Sequence, residues 1–148
     1  MNETYLRLRD FKKKYPSTVA WRLEAHAKVI TKHLNPDEYI IYAFPAQKND
    51  NWMDIISTCA VVLTNKRILI GQKRVFFGYS FVAITPDMFN DLTVYTAIIC
   101  GKIFIDTVKE VVKLSNISKH AVDEIETNIT EYMMTEKQKY SNNNKSDK

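Results

Sequence analysis

Two periodicities divide the chain. Val19, Leu23, Ala27, Ile30 and Leu34 recur at spacings of four, four, three and four, the rhythm of one apolar helix face. A weaker stripe, Tyr5, Leu8, Phe11 and Tyr15, precedes it. The pattern predicts a first helix capped by Asn2 and running to about Lys14. Pro16 interrupts, and Ser17 or Thr18 is placed to cap a second helix. Lys32 and His33 fall in its last turn, where positive charge suits the dipole. Asn35-Pro36 ends it.

From Glu38 the rhythm shortens. Seven apolar, β-branched or aromatic runs follow: Glu38–Ala46, Ile55–Thr64, Arg67–Gln72, Val75–Ile84, Leu92–Ile99, Lys102–Thr107 and Glu110–Leu114. These read as short strands. Thr64-Asn65-Lys66-Arg67 reads as a tight turn, and Gly78 as a bulge or bend within the fourth strand. Ser118 then caps a last helix, Lys119–Met134, whose stripe is Ala121, Val122, Ile125, Ile129, Tyr132 and Met133. Asp123, Glu124, Glu126 and Glu131 lie off that stripe. A meander followed by one amphipathic helix predicts a mainly β fold with α, a barrel or half-barrel with an open end that the helix plugs. Three segments result: a two-helix N-terminal extension (1–35), the barrel domain (36–134) and a polar tail (135–148) read as disordered.

Composition changes this picture little. At 148 residues and 45% hydrophobic content the chain supplies one core. No apolar run approaches the ~20 residues of a membrane helix. Arg7, Arg9 and Lys12–Lys14 break up any secretory leader, so a cytoplasmic protein is expected. Cys59 and Cys100 sit in separate apolar runs and read as buried thiols. Charge is more telling. Residues 1–35 hold eight Lys/Arg against three Asp/Glu, a balance of +5; the remainder holds thirteen against fourteen, or −1. The basic segment is either a solvated helix face or a contact for polyanions.

Two motifs carry a family resemblance. His33-Leu34-Asn35-Pro36-Asp37-Glu38, followed by an Ile/Tyr strand, resembles the L-x-P-x-E entry of the bacterial pleckstrin-homology (PH) family. Leu63-Thr64-Asn65-Lys66-Arg67-Ile68-Leu69-Ile70 resembles its L-T-x-x-R-hydrophobic turn between strands two and three. Ile103-Phe104-Ile105 and the Ser-capped helix stand in the right order behind them. The resemblance covers roughly residues 34–134 and implies a mainly β fold with α, a PH-like seven-stranded bent barrel capped by the C-terminal helix; the two N-terminal helices are an addition to it. Taken by itself, the Thr64–Arg67 motif is a well-formed turn, with Arg67 free to lie across neighbouring strands.

Signs of chemistry are few. No catalytic or phosphate-loop motif is present, and the chain has three glycines in all. His26 and His33 are seven positions apart, about 10 Å along a helix, which does not suit a shared metal. Asp50 and Asp54 flank Trp52 and read as ordinary loop acids. No enzymatic activity, cofactor or metal is expected. Strand two lacks Lys and Arg, so the phosphoinositide site that the wider PH family uses is disfavoured.

The expectation is a non-catalytic binding or scaffold module that contacts a protein partner or a second copy of itself. The resemblance implies a contact site at the open end of the barrel, formed by Lys48, Trp52, Lys73, Arg74 and Lys109. The alternative is nucleic acid, itself disfavoured, or an anionic membrane surface. It would use the first helix, where Arg7, Arg9, Lys12, Lys13 and Lys14 alternate with Tyr5, Phe11 and Tyr15.

Overall fold

Every residue of one strand, Thr58–Thr64, is buried. A strand with one wet face would alternate, so this one is covered on both sides. The computed structural model describes residues 2–49 and 54–146 and shows what covers it. Two helices, α1 (Glu3–Lys14) and α2 (Leu23–His33), precede β1 (Ile40–Gln47). One turn of 3-10 helix, Ile55–Ser57, leads into β2 (Thr58–Thr64). β3 (Ile68–Lys73), β4 (Tyr79–Ile84), β5 (Phe89–Thr96), β6 (Gly101–Thr107) and β7 (Val111–Ile117) follow, and α3 (Val122–Ser146) ends the chain. All strand pairs are antiparallel, in the order β4-β3-β2-β1-β7-β6-β5.

β1 and β7 meet at one residue pair, Gln47 and Ser115. The sheet therefore folds there into two leaves, β1–β4 and β5–β7. Between them lies the main core. Phe44, Val61, Leu63 and Ile70 come from one leaf, Phe89, Ile103, Ile105 and Leu114 from the other, and Ala121, just before α3, with Ile125, Ile129 and Met133 of α3 completes it. The architecture is the expected one, with one qualification. The sheet stays open, because β4 and β5 are both edges among the described residues.

The second core explains β2. Leu8 of α1 and Ala27 and Ile30 of α2 pack on Ala43, Ala60, Val62 and Leu69. Along β2, Cys59, Val61 and Leu63 thus face the main core and Ala60 and Val62 face the helices, as a period of two requires. β1 keeps both faces apolar by shifting register between Ile40 and Tyr42. α2 lies so close to β3 that a Cβ on Gly71 would stand 2.8 Å from Ile30 Cδ1. Docking also accounts for α2 itself, since an isolated helix of 11 residues is marginal in water.

Several boundaries differ from the sequence reading, each for a visible reason. Asn2 caps α1 as expected, its Oδ1 accepting from Tyr5 N at 3.2 Å. Neither Ser17 nor Thr18 caps α2, which starts at Leu23 after Arg22 at φ +55°. Thr18 Oγ1 instead accepts from Ser118 N, and Val19 N donates to Asn116 O, so this segment is fixed across the chain. Gly78 is no bulge inside a strand. At φ +68° it closes a turn in which Arg74 N donates to Gly78 O, and Val75–Phe77 form a hairpin tip rather than part of β4. Residues 135–146, expected as a disordered tail, continue α3. Their Glu, Lys and Gln are good helix formers, and extending an existing helix needs no new nucleus.

Both cores are testable. Ile30 and Ile125 are each fully buried. An unpaired charge at either place is expected to cost several kcal/mol. Ile30→Asp and Ile125→Asp should each lower the melting temperature sharply; a melt unchanged by Ile30→Asp contradicts docking of α2 on its own sheet.

Candidate functional site

The motif residues occupy the junction of α2, β1 and the β2–β3 turn. The Glu38 side chain is 0% exposed. Its carboxylate accepts from Arg67 Nε and Nη2, both at 3.0 Å, from Thr64 Oγ1 at 2.6 Å and from Asn35 N at 3.1 Å. Arg67 Nη2 also donates to His33 O, the end of α2, at 2.9 Å. Burial alone would raise the Glu38 pKa; the hydrogen bonds from Arg67, Thr64 and Asn35 outweigh it and hold it below the ordinary value. This arrangement binds the protein to itself. Both carboxylate oxygens of Glu38 and the Nε and Nη2 of Arg67 are taken up by partners within the chain. Spacing cannot reveal that Glu38 and Arg67 meet, 29 positions apart. The signal available is a charged residue at the root of each of two apolar strands.

The basic residues of α1 serve docking. Arg7 bonds Glu3 and the Ile41 carbonyl, each at 3.2 Å. Lys12 Nζ donates to the carbonyls of Pro16 and Thr18. Lys14 Nζ lies 2.6 Å from Glu124 of α3, which also accepts from Tyr42 OH at 2.7 Å. Arg9 is half-buried with its Nε enclosed. Lys13 is exposed. Tyr5 and Tyr15 are half-buried and Phe11 lies in the main core, so no aromatic stacking face stands between the cations.

Of the open-end residues, Lys48 and Lys109 line adjoining cavities and Lys73 lies apart from them. Lys48 Nζ donates to Ser80 Oγ at 2.7 Å and lines a cavity of about 450 Å³ with Asn49, Val82 and Glu110–Lys113. Lys109 lines an adjoining cavity of about 200 Å³ with Val82, Met88, Thr107 and Glu110. Glu110 is common to both, so neither is purely cationic. Lys73 is elsewhere. It pairs in register with Tyr79, next to Ser80 and therefore on the opposite face of the ribbon, and lines a groove of about 570 Å³ against α2 with Arg22, Lys28 and Lys32. Arg74 is exposed on the hairpin. Trp52 and Asp50 lie outside the described residues. Asp54 closes its loop, accepting from Asn49 Nδ2 at 2.9 Å and Ser57 Oγ at 2.8 Å.

Two exposed apolar tips have no counterpart in the sequence reading. Phe76 and Phe77, in the β3–β4 hairpin, are 88% and 87% exposed. Ile98 and Ile99, in the β5–β6 turn, are 92% and 63% exposed. Both pairs sit in runs that look like strand from periodicity alone. Among the described residues no three His, Cys, Asp or Glu lie close enough to hold a metal ion, and no helix is long and apolar enough to cross a membrane.

A family model described as Bacterial PH domain matches residues 34–131, which begin at α2's end and include both halves of the Glu38–Arg67 pair. The chain belongs to the bacterial PH domain family. Among solved structures, a pleckstrin homology domain from Shewanella amazonensis SB2B is similar at TM-score 0.50 and 16% identity, over 78% of this chain and 91% of that one. A DUF1696 family protein with a pleckstrin-homology domain from Shewanella loihica PV-4 matches at TM-score 0.49 and 15% identity, over 77% and 99% of the two chains. At such identity the first likeness speaks for the fold. No curated protein matches the chain. In this bacterial PH domain β2 carries no basic side chain and is wholly buried, so it offers phosphates no basic face. α1 and α2 precede the matched span.

One titratable group links α2 to the sheet. His26 is fully buried, not superficial, and its Nδ1 accepts from Lys73 N at 2.9 Å. Burial, then the nearby Arg22, pushes its pKa down from 6.5 to about 4. The folded state therefore resists a proton that the unfolded chain takes up. Stability is full above pH 6.5 and is lost as pH falls toward 4, by about 3 kcal/mol in all. Melting temperature should fall between pH 7 and pH 5, less steeply in His26→Gln; equal slopes contradict the neutral buried imidazole.

Proposed function

We propose that this PH domain is a non-catalytic binding module of the cytoplasm that contacts a protein partner, or a second copy of itself, through its β5–β6 end. The observation that carries the reading is Ile98 and Ile99, held out on a turn closed by Ala97 N donating to Cys100 O at 2.8 Å. With Ala97, Cys100, Lys102, Ser115 and Asn116 they line a cavity of about 420 Å³. An exposed aliphatic pair on the wall of such a recess suits a complementary protein surface better than a charged polymer.

Further observations support it. The cations of α1 are largely engaged in docking, which weakens the case for a polyanion on that helix. The loop acid Asp54 is engaged by Asn49 and Ser57, and the deepest histidine, His26, is sealed from solvent. Cys59 and Cys100 are free buried thiols, in keeping with a reducing compartment.

Ile98→Glu with Ile99→Glu is the direct test. Both side chains are exposed, so the melting temperature should stay within a few degrees of the parent. Light scattering and mass-spectrometric identification of co-purified chains should show complexes in the parent, stable to moderate salt, and their loss in the variant. Complexes that persist unchanged in the variant contradict the proposed surface.

A further inference from the structure

A different face of the molecule, independent of the β5–β6 end, combines a protruding apolar tip with a field of cations. The β3–β4 hairpin puts Phe76 and Phe77 almost wholly into solvent beside Val75, which is 43% exposed. Neither phenylalanine lines any of the cavities described above, so the tip projects rather than covering a recess. Gln72 Nε2 donates to Ile56 O at 3.3 Å, which brings the exposed Ile56 to the root of the same hairpin. Exposed cations stand behind the tip. Lys73 and Arg74 are on the hairpin, and Arg22, Lys28 and Lys32 are on the adjoining edge of α2. The groove that they share with Lys73 holds one acid, Glu24.

The root of this hairpin is firm even though its tip is bare. His33 stacks on Phe81 with ring centroids 4.0 Å apart and meets Tyr79 edge-on at 5.2 Å. Lys32 Nζ stands 5.4 Å from the Tyr79 ring centroid. The buried His26 fixes the Lys73 backbone. α2 is thus tied to the base of the hairpin whose tip carries the two phenylalanines.

We propose that this face docks on an anionic lipid bilayer, with Phe76 and Phe77 entering the boundary between headgroups and acyl chains. Arg22, Lys28, Lys32, Lys73 and Arg74 would face the headgroup charge. The charge balance selects the occupant. Cations near an anionic leaflet add attraction individually and without a fixed register, and apolar side chains on a protruding element bury themselves in the interface. The groove on this side, about 570 Å³, has cations at four of its eight lining residues and a single acid, so it favours a negatively charged surface over an apolar protein contact. The surface is separate from the α1 cations and uses no stereospecific headgroup pocket, so anionic lipids of different headgroups should serve alike.

Vesicle sedimentation of the full chain tests this. The parent should sediment with vesicles of phosphatidylcholine mixed with phosphatidylglycerol or phosphatidylserine, poorly with phosphatidylcholine alone, and less as salt rises. Phe76→Ser with Phe77→Ser, and separately Lys28→Glu with Lys32→Glu, should each weaken binding about tenfold or more. Lys13→Glu should change it little. Melting curves of all variants should stay near the parent's, because the altered side chains are exposed. Absence of binding to the mixed vesicles, or binding that survives both double variants, overturns the proposal. So does self-association, read by light scattering, that vanishes in the phenylalanine variant while vesicle binding is absent; that result assigns the tip to a protein contact. Ile98→Glu with Ile99→Glu should leave vesicle binding intact, which keeps this test separate from the protein-contact reading.

Discussion

The Glu38–Arg67 ion pair decides where most of the molecule lies. It is bidentate, its carboxylate is wholly buried, and every oxygen has a donor. A charge in such a place is tolerable only with its partner and its hydrogen bonds in position. The positions it ties together come from three parts of the chain: the last turn of α2 at His33, the entry to β1 at Asn35 and Glu38, and the β2–β3 turn at Thr64 and Arg67. Fixing the end of α2 sets where its apolar stripe falls on the sheet. That placement in turn requires Gly71 beneath Ile30 and seals both faces of β2. The same placement stacks His33 on Phe81 and so steadies the base of the β3–β4 hairpin.

Much of this was legible in the residues. Cys59–Leu63 is an unbroken apolar run, which in a sheet means cover on both faces, and the stripe Val19–Leu34 is too apolar to face water. Together they imply a helix lying on a sheet. The order of the two motifs pointed to the PH family before any coordinates. What stayed hidden depends on contacts between distant segments. Thr18 has the chemistry of a cap, yet its hydroxyl serves Ser118, 100 positions away. Local preference cannot weigh that competition. Val75–Phe77 have strand-like side chains but sit in a turn that a single glycine at positive φ completes. Residues 135–146 have the composition of a disordered tail, but they follow an already formed helix.

The candidate contact site was less legible than the fold. Reading loop cations by family analogy grouped Lys48, Lys73, Arg74 and Lys109, but strand alternation puts Lys48 and Lys73 on opposite faces of one ribbon. Reading basic residues by density singled out α1, but Arg7, Lys12 and Lys14 are held by carbonyls and carboxylates of the same chain. In both cases charge was visible and its internal partners were not. Ile98, Phe76 and Phe77 are the most exposed large apolar side chains among the described residues, and exposure of that kind is a property of the folded chain rather than of its sequence.

The central claim is that the family motifs build an internal ion pair on which the helix–sheet junction depends. A double-mutant cycle tests it most directly, with urea unfolding of the parent, Glu38→Leu, Arg67→Met and the double variant. Each single change leaves a buried charge without its partner, so each should cost about 3–5 kcal/mol. The double variant should cost well under their sum, with a coupling of roughly 2 kcal/mol or more. Single variants that unfold within about 0.5 kcal/mol of the parent, the range of ordinary surface changes, or costs that simply add, would contradict the account.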